Sequence, residues 1–266
     1  MKKVLFIGLG HMGSALIKGI LKNSNNNVEI FGYDAIKETQ QKAIKNMEGL
    51  KSLKKLSEIQ DKNIDFIVIG TRPIDVEPLC KEIDELDINK KTIICMANAV
   101  TIDNIQNCFI NNKDVAVIRM MPNMNASIQK SVTALASKNA SIEVMKFVTE
   151  MFQLCGLVEN VSEDKFGTLT AISGCSPSYV ISFFKAMTDY AIKSGFEKEQ
   201  AFRIIEQVII GSAMNASKSE VPLRTVVDQI CVPNGSTIEG QKILDNKNFE
   251  QIVQEALLAA DKKATN

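Results

Sequence analysis

Apolar residues fall in two patterns along this chain, and the change from one to the other divides it. In the first part they form short unbroken runs: Val4-Leu5-Phe6-Ile7, then within residues 28–33, 65–70, 91–96 and 114–119. Runs of this length, apolar at consecutive positions, suit parallel strands buried on both faces. Segments with helical spacing separate them, at residues 14–22, 36–47, 75–86 and 101–109. Strand and helix alternating in this way predict an α/β, doubly wound sheet. Residues 131–136 and 157–161 are weaker strand candidates flanking a helix at 141–154.

From about Ser162 the strand signal stops, and Ser162-Glu163-Asp164 reads as a helix start with Ser162 as N-cap. Apolar stripes at helical spacing follow: Val180, Phe183, Phe184, Met187, Tyr190 and Ala191; Phe202, Ile205, Val208, Ile209 and Ala213; Ile252, Val253, Ala256, Leu257 and Ala260. These predict an all-α bundle whose stripes are core, some of them buried against a second subunit. Residues 1–161 thus form an α/β domain and 162–266 a helical one, with the last six residues, 261–266, expected to fray.

Composition narrows the possible partners. Lys plus Arg and Asp plus Glu both number 31, so no net field draws nucleic acid or an anionic membrane. No apolar run reaches the roughly 18–20 residues a bilayer span needs, and the N-terminus lacks the cleavage site of a signal peptide. The six cysteines are scattered without C-x-x-C spacing and the one histidine is His11, which argues against a metal site and for reduced thiols in a cytoplasmic protein.

The candidate chemistry begins where the first apolar run ends. Gly8-Leu9-Gly10-His11-Met12-Gly13 is a G-x-G-x-x-G between a strand and a helix. In that context the first glycine makes a tight turn, the second admits a pyrophosphate and the third lets helix and strand approach. Free N–H groups and a partial positive charge at the helix start favour the phosphates. Asp34 ends the second strand, 21 residues past Gly13. An acidic residue there can accept from both ribose hydroxyls of NAD and repel the 2′-phosphate of NADP; it can also cap the next helix. Three further strands run into Thr71-Arg72-Pro73, Ala97-Asn98-Ala99 and Met120 to Ala126, at the carboxyl ends where such sheets bind ligands. Arg72 suits cofactor phosphates or substrate, or is a solvated loop cation. Asn123 suits the nicotinamide carboxamide, a loop, or a turn after Pro122.

Two stretches in the helical part are not simple helix. Gly174 and Pro177, within residues 170–179, should break or kink one. Residues 230–240 contain Pro233-Asn234-Gly235-Ser236-Thr237 ahead of another helix, a turn whose N–H and hydroxyl groups can receive a carboxylate.

Together, Gly8–Gly13, Gly70-Thr71-Arg72-Pro73, Arg119-Met120-Met121-Pro122-Asn123, residues 170–179 and Pro233–Thr237 resemble the pyrroline-5-carboxylate reductase family over essentially the whole chain. The resemblance implies an N-terminal Rossmann domain, a helical dimerisation domain, a homodimer or a larger oligomer built on dimers, and reduction of a cyclic imine to proline by NAD(P)H. NADH is favoured by Asp34, NADPH by family habit. It further implies cofactor contacts from Gly8, Leu9, Gly10, His11, Met12, Gly13, Asp34, Thr71, Arg72, Pro73, Ala97, Asn98 and Asn123. Gly174, Ser176, Pro177, Asn234, Gly235, Ser236 and Thr237 would hold the substrate. No general acid stands out, so Thr237 is expected to hydrogen-bond the imine nitrogen and Glu220 to orient the product ammonium. The chain departs from the family pattern at Arg72, Met124-Asn125, Cys175-Ser176 and Asn234. Those departures keep open a reductase of another cyclic imino acid, or a dinucleotide-binding regulatory protein without catalysis. A hydroxyacid dehydrogenase fits less well, because Lys185 lies well past the kinked stretch.

Overall fold

The five apolar runs become five mutually parallel strands. The computed structural model describes residues 1–22 and 28–265. In order these form β1 (Lys2–Ile7), α1 (His11–Leu21), β2 (Val28–Tyr33), α2 (Lys37–Asn46), β3 (Leu50–Ser52), α3 (Glu58–Asp61), β4 (Phe66–Ile69), α4 (Pro73–Asp84), β5 (Thr92–Cys95), α5 (Ile102–Gln106), β6 (Ala116–Met121), β7 (Ser131–Ser137), α6 (Ile142–Gln153) and β8 (Gly156–Asn160). After them come α7 (Phe166–Leu169), α8 (Ser176–Lys193), α9 (Lys198–Ser217), α10 (Leu223–Ile230), α11 (Ser236–Asn246) and α12 (Phe249–Thr265). Asn266, the end of the segment expected to fray, lies outside the described residues.

One eight-stranded sheet runs in the order β3-β2-β1-β4-β5-β6-β7-β8. Successive residues of each central strand enter opposite layers, as strand geometry requires. Leu5, Ile7, Ile67, Ile69, Ile93 and Val117 pack on one face. Val4, Phe6, Val68, Ile94 and Ile118 pack on the other, against Leu16, Ile17, Val148 and Phe152 of α1 and α6. Both faces are covered, which is why these strands are apolar without alternation. The order reverses at β1, so the carboxyl ends of β1 and β4 flank the crevice where ligands bind in such sheets.

The sheet departs from all-parallel at one pair. β7 is antiparallel to β6, with Met121 opposite Ala134. Residues 122–130 between them are too few for the dozen or so a parallel crossover needs. They instead form a 3-10 turn, Met124–Ile128, closed by Gln129 in the left-handed region at φ 60°. The sequence reading also misses β3 and α3, whose three and four residues are too short to show a period.

By packing, two compact units divide at Gly174/Cys175, and the chain from Asp261 belongs to the first. Phe166 is 1% exposed and sits in the core beneath β6. The C-terminal turn of α12 does not fray. Thr168 Oγ1 donates to Asp261 Oδ2 at 2.8 Å, and Ala264 is buried. A Cβ on Gly167 would stand 2.4 Å from Thr265 Oγ1, so a larger residue there would displace the Thr265 side chain where the two segments meet.

The second unit, Cys175–Ala260, consists of α8 to α11 and most of α12. Phe184 and Phe202 join α8 to α9 with ring centres 5.5 Å apart. The stripes nevertheless do not make a core within one chain. Phe183 is 45% exposed, Val208 46% and Ile252 54%, while Thr188, Ala201 and Ile205 are buried. The periodicity therefore records faces whose burial requires something beyond this chain.

Candidate active site

The three glycines of the first loop are each fixed by a different constraint. Gly8 has φ +96°, and a Cβ there would lie 2.6 Å from the Gly70 carbonyl oxygen of the neighbouring strand end. A Cβ on Gly13 would lie 2.2 Å from the Gly8 carbonyl oxygen, so α1 could not approach β1 with a larger residue. A Cβ on Gly10 would meet no protein atom within 4 Å; that space is open for a ligand. The helix begins at His11, three residues before the expected start, so His11, Met12 and Gly13 form its first turn. Their N–H groups have no acceptor within the helix. Ser14 closes the loop, its Oγ donating to the Leu9 carbonyl at 2.7 Å. A cavity of about 480 Å³ borders Gly10, His11 and Lys18.

Asp34 is bound into this loop. Its Oδ2 accepts from the Leu9 N–H at 2.8 Å and its Oδ1 from the Ile36 N–H at 2.9 Å. The second bond is a local turn ahead of α2; the N-cap position itself is Ile36, so Asp34 does not cap that helix. A carboxylate has about four acceptor sites, so lone pairs remain for ribose hydroxyls. Lys37, Lys45 and Lys54 line a hollow of about 630 Å³ that also borders Asp34.

The other strand ends contribute unequally. Thr71, after β4, has a buried Oγ1 with no hydrogen-bond partner, a polar atom left for a ligand beside Gly8. Arg72 occupies the N-cap position of α4, and Pro73 its first turn. The Arg72 guanidinium is exposed and paired with Asp75 at 2.8 Å, which raises its already high pKa. After β5, Ala97 is buried, Asn98 is exposed, and Ala99 adopts φ 59°, a conformation rare for residues other than glycine. Asn123 takes the loop-holding role among those expected. It is 4% exposed, its Nδ2 donates to the Ser173 carbonyl at 3.0 Å, and its Oδ1 accepts from the Asn125 N–H at 3.2 Å.

Residues 170–179 do not break the helical path. Thr170–Cys175 form a π-helical turn that runs directly into α8, with Pro177 in the first turn of α8; its missing N–H leaves the Ser173 carbonyl without an α-helical donor. Gly174 is exposed, while Ser176 and Pro177 are half-buried. In the second unit, Asn234 has φ 61° and Gly235 is the N-cap of α11. Ser236 and Thr237 are therefore its first two residues, exposed, with N–H groups that lack intrahelical partners. Glu220 stands exposed in the loop between α9 and α10.

The sequence reading misses one part-buried charge pair. Arg119, on β6, is 6% exposed; its Nη1 lies 3.1 Å from Glu163 Oε1 and its guanidinium sits 4.6 Å from the Phe166 ring centre. Glu163 also accepts from the Ile102 N–H at 2.7 Å. Ser162 precedes this turn but makes no side-chain cap. The signal was a lone arginine in an otherwise apolar strand. Four of the six cysteines are buried, and burial pushes the Cys95 thiol up to about 11, so it remains a neutral core residue. Among the described residues, no three His, Cys, Asp or Glu side chains are grouped to hold a metal, and no helix is long and apolar enough to cross a membrane.

A mainly parallel sheet in the order 3-2-1-4-5-6, with a glycine cradle after β1 and a carboxylate after β2, defines a Rossmann-type dinucleotide-binding protein. The family model described as pyrroline-5-carboxylate reductase dimerisation matches residues 163–266, and one described as NADP oxidoreductase, coenzyme F420-dependent, matches residues 3–99. Pyrroline-5-carboxylate reductase 2 of Bacillus subtilis is 30% identical over 261 residues, covering 95% of this chain and 90% of that one. The Aquifex aeolicus pyrroline-5-carboxylate reductase is 28% identical over 263 residues, covering 98% and 96%. The crystal structure of Plasmodium falciparum pyrroline carboxylate reductase with NADP bound superposes with a TM-score of 0.87 at 27% identity, covering 99% of this chain and 97% of that one. The chain belongs to the pyrroline-5-carboxylate reductase family.

Proposed function

We propose that this protein reduces 1-pyrroline-5-carboxylate to L-proline at the expense of a reduced nicotinamide dinucleotide, the last step of proline biosynthesis. The observation that carries the reading is a pair of receptors in one chain. One is the open cradle at Gly10, ahead of the free N–H groups of α1. The other is the start of α11, where Ser236 and Thr237 follow the left-handed Asn234. The first suits a pyrophosphate and the second a substrate carboxylate.

When bound, the dinucleotide supplies the hydride that the C=N carbon accepts; the imine nitrogen takes a proton. Gly8, Leu9, Gly10, His11, Met12 and Gly13 hold the pyrophosphate, Asp34 the adenosine ribose, and Thr71 offers its unpartnered hydroxyl. Arg72, Pro73, Ala97 and Asn98 complete the strand-end surface. The N–H groups and hydroxyls of Asn234 to Thr237 hold the carboxylate, while Gly174, Ser176 and Pro177 lie against the ring. Thr237 hydrogen-bonds the imine nitrogen and Glu220 orients the product ammonium. With a substrate bound already protonated, the work of these side chains is orientation and exclusion of water.

Asp34 favours NADH, because both its oxygens are fixed and its charge faces any 2′-phosphate; Lys37 and Lys54 soften that preference. The active form is a homodimer or an assembly of dimers, in which the exposed stripes of α8, α9 and α12 are covered. The protein acts in the cytoplasm, consistent with its reduced cysteines.

The test is to assay reduction of five- and six-membered cyclic imino acids with NADH and with NADPH. Turnover of 1-pyrroline-5-carboxylate, faster with NADH, is the expected result. A preference for the six-membered ring would reassign the substrate, and no turnover above background with any imine would leave a regulatory protein.

A further inference from the structure

The π-helical turn Thr170–Cys175 interrupts the α-helical path, and such turns are rare and frequent at functional sites. In an α-helix, the Ser173 carbonyl would receive the N–H of residue 177. That residue is Pro177, which has none. The Asn123 side chain donates to this carbonyl from outside the helix, at 3.0 Å. Asn123 is itself locked by the Asn125 N–H on its Oδ1. The same segment is fastened four residues earlier along the strand path: Arg119 pairs with Glu163 and stacks on Phe166. Residues 119, 121 and 123 point to one face of an extended chain, and Met121 and Phe166 share a core layer.

We infer that Asn123 is a positioning residue: it holds the π turn in register, and through it the adjoining Gly174–Pro177 stretch against the substrate ring. The substrate half of this inference rests on the proposed imino-acid reductase reading.

Two variants test it. Asn123→Ala removes both hydrogen bonds. Asn123→Asp keeps the shape and the acceptor for Asn125, but its carboxylate cannot donate to Ser173. Hydrogen exchange is read on a peptide covering residues 166–178, alongside the imino-acid KM, kcat and the cofactor Kd. In both variants exchange in that peptide should rise at least about tenfold, the change expected for losing the buried bond to Ser173 alone. The imino-acid KM should rise by about the same factor, with kcat and cofactor Kd within about twofold of the parent. Unchanged exchange would overturn the link to the π turn whether or not the enzyme is active. Equal rises in imino-acid KM and cofactor Kd would instead make Asn123 a cofactor-side residue and overturn its assignment. A parent protein inert toward every imine would refute the reductase reading and the substrate half with it, while the exchange result still decides the Asn123–Ser173 link.

Discussion

Asn in place of Asp34 separates the charge of that side chain from its shape. In the parent, the Leu9 and Ile36 N–H groups hold the two carboxylate oxygens at 2.8 and 2.9 Å, so the charge cannot swing away from the end of β2. A 2′-phosphate carries a charge of about −1.5 to −2. At about 5–6 Å, with an effective dielectric of about 40–80 for this half-exposed site, the repulsion is about 1–3 kcal/mol. Removing it should raise kcat/KM for NADPH relative to NADH by roughly 10- to 100-fold. The amide also has a price: its NH2 must face one of the two N–H groups, which costs about 1–2 kcal/mol. For a chain of this size that lowers the thermal midpoint by about 2–6 °C. The assay is kcat/KM for both cofactors at fixed imino acid, in low and in high salt, since an exposed-site charge effect shrinks with ionic strength. A cofactor ratio that moves less than about twofold while the midpoint falls would refute the electrostatic reasoning, leaving Asp34 as a tie for the loop.

Three other changes probe separate parts of the molecule. Thr237→Ala should lower kcat/KM by about 100-fold with cofactor Kd nearly unchanged; steady-state kinetics and cofactor titration measure both, and equal losses would remove Thr237 from the imine nitrogen. Asp84 is 4% exposed; burial alone would push its carboxyl up, but the N–H groups of Ile110, Asn111 and Asn112 and the Asn112 amide hold it below the usual carboxylate value. Its contribution is thus present above the unfolded value of about 3.9 and lost as pH falls through the lower folded value. Asp84→Ala should cost about 3–5 kcal/mol at pH 7 in urea unfolding, and the gap to the parent should narrow below about pH 4; a gap that widens in acid would reverse the sign. Val208→Glu places a charge on the open face of α9 and should convert a dimer to monomer in analytical ultracentrifugation at micromolar concentration, whereas a dimer of unchanged affinity would place the interface elsewhere.

The central strands were readable because burial on both faces leaves a continuous apolar run, as in Val4–Ile7 and Phe66–Ile69. The glycine loop was readable because its three constraints act on backbone, and backbone constraints select glycine. Asp34 was found by its spacing, but its bond to the Leu9 N–H joins residues 25 apart and has no local signature. Residues 170–179 show in the sequence as an irregular stretch, but what keeps the helical path continuous there does not, for a similar reason. Gly174 and Pro177 do weaken a helix locally, and the group that compensates, Asn123, lies fifty residues upstream. The helical stripes read as apolar faces, some of them for a second subunit, and Phe183, Val208 and Ile252 are open in the single chain. Periodicity reports that a face is buried somewhere; it does not say whether the covering surface belongs to the same chain.

The Leu9–Asp34 bond makes cofactor preference and loop conformation one property. The N–H that Asp34 accepts belongs to the residue between Gly8 and Gly10, inside the cradle itself. Any replacement that relieves repulsion of a 2′-phosphate must still offer Leu9 an acceptor, or it leaves a part-buried N–H unpaired beside the pyrophosphate position. Alanine fails this condition outright. Arginine or lysine would attract the phosphate yet supplies no acceptor, so the gain at the ribose is offset by disorder at the loop. Serine, threonine and asparagine keep an acceptor on a short side chain, and serine and threonine can also donate to a phosphate oxygen. The reachable routes from NADH toward NADPH at this site therefore pass through short polar residues, with Lys37, Lys45 and Lys54, which carry no part of the loop, supplying the cations beside it.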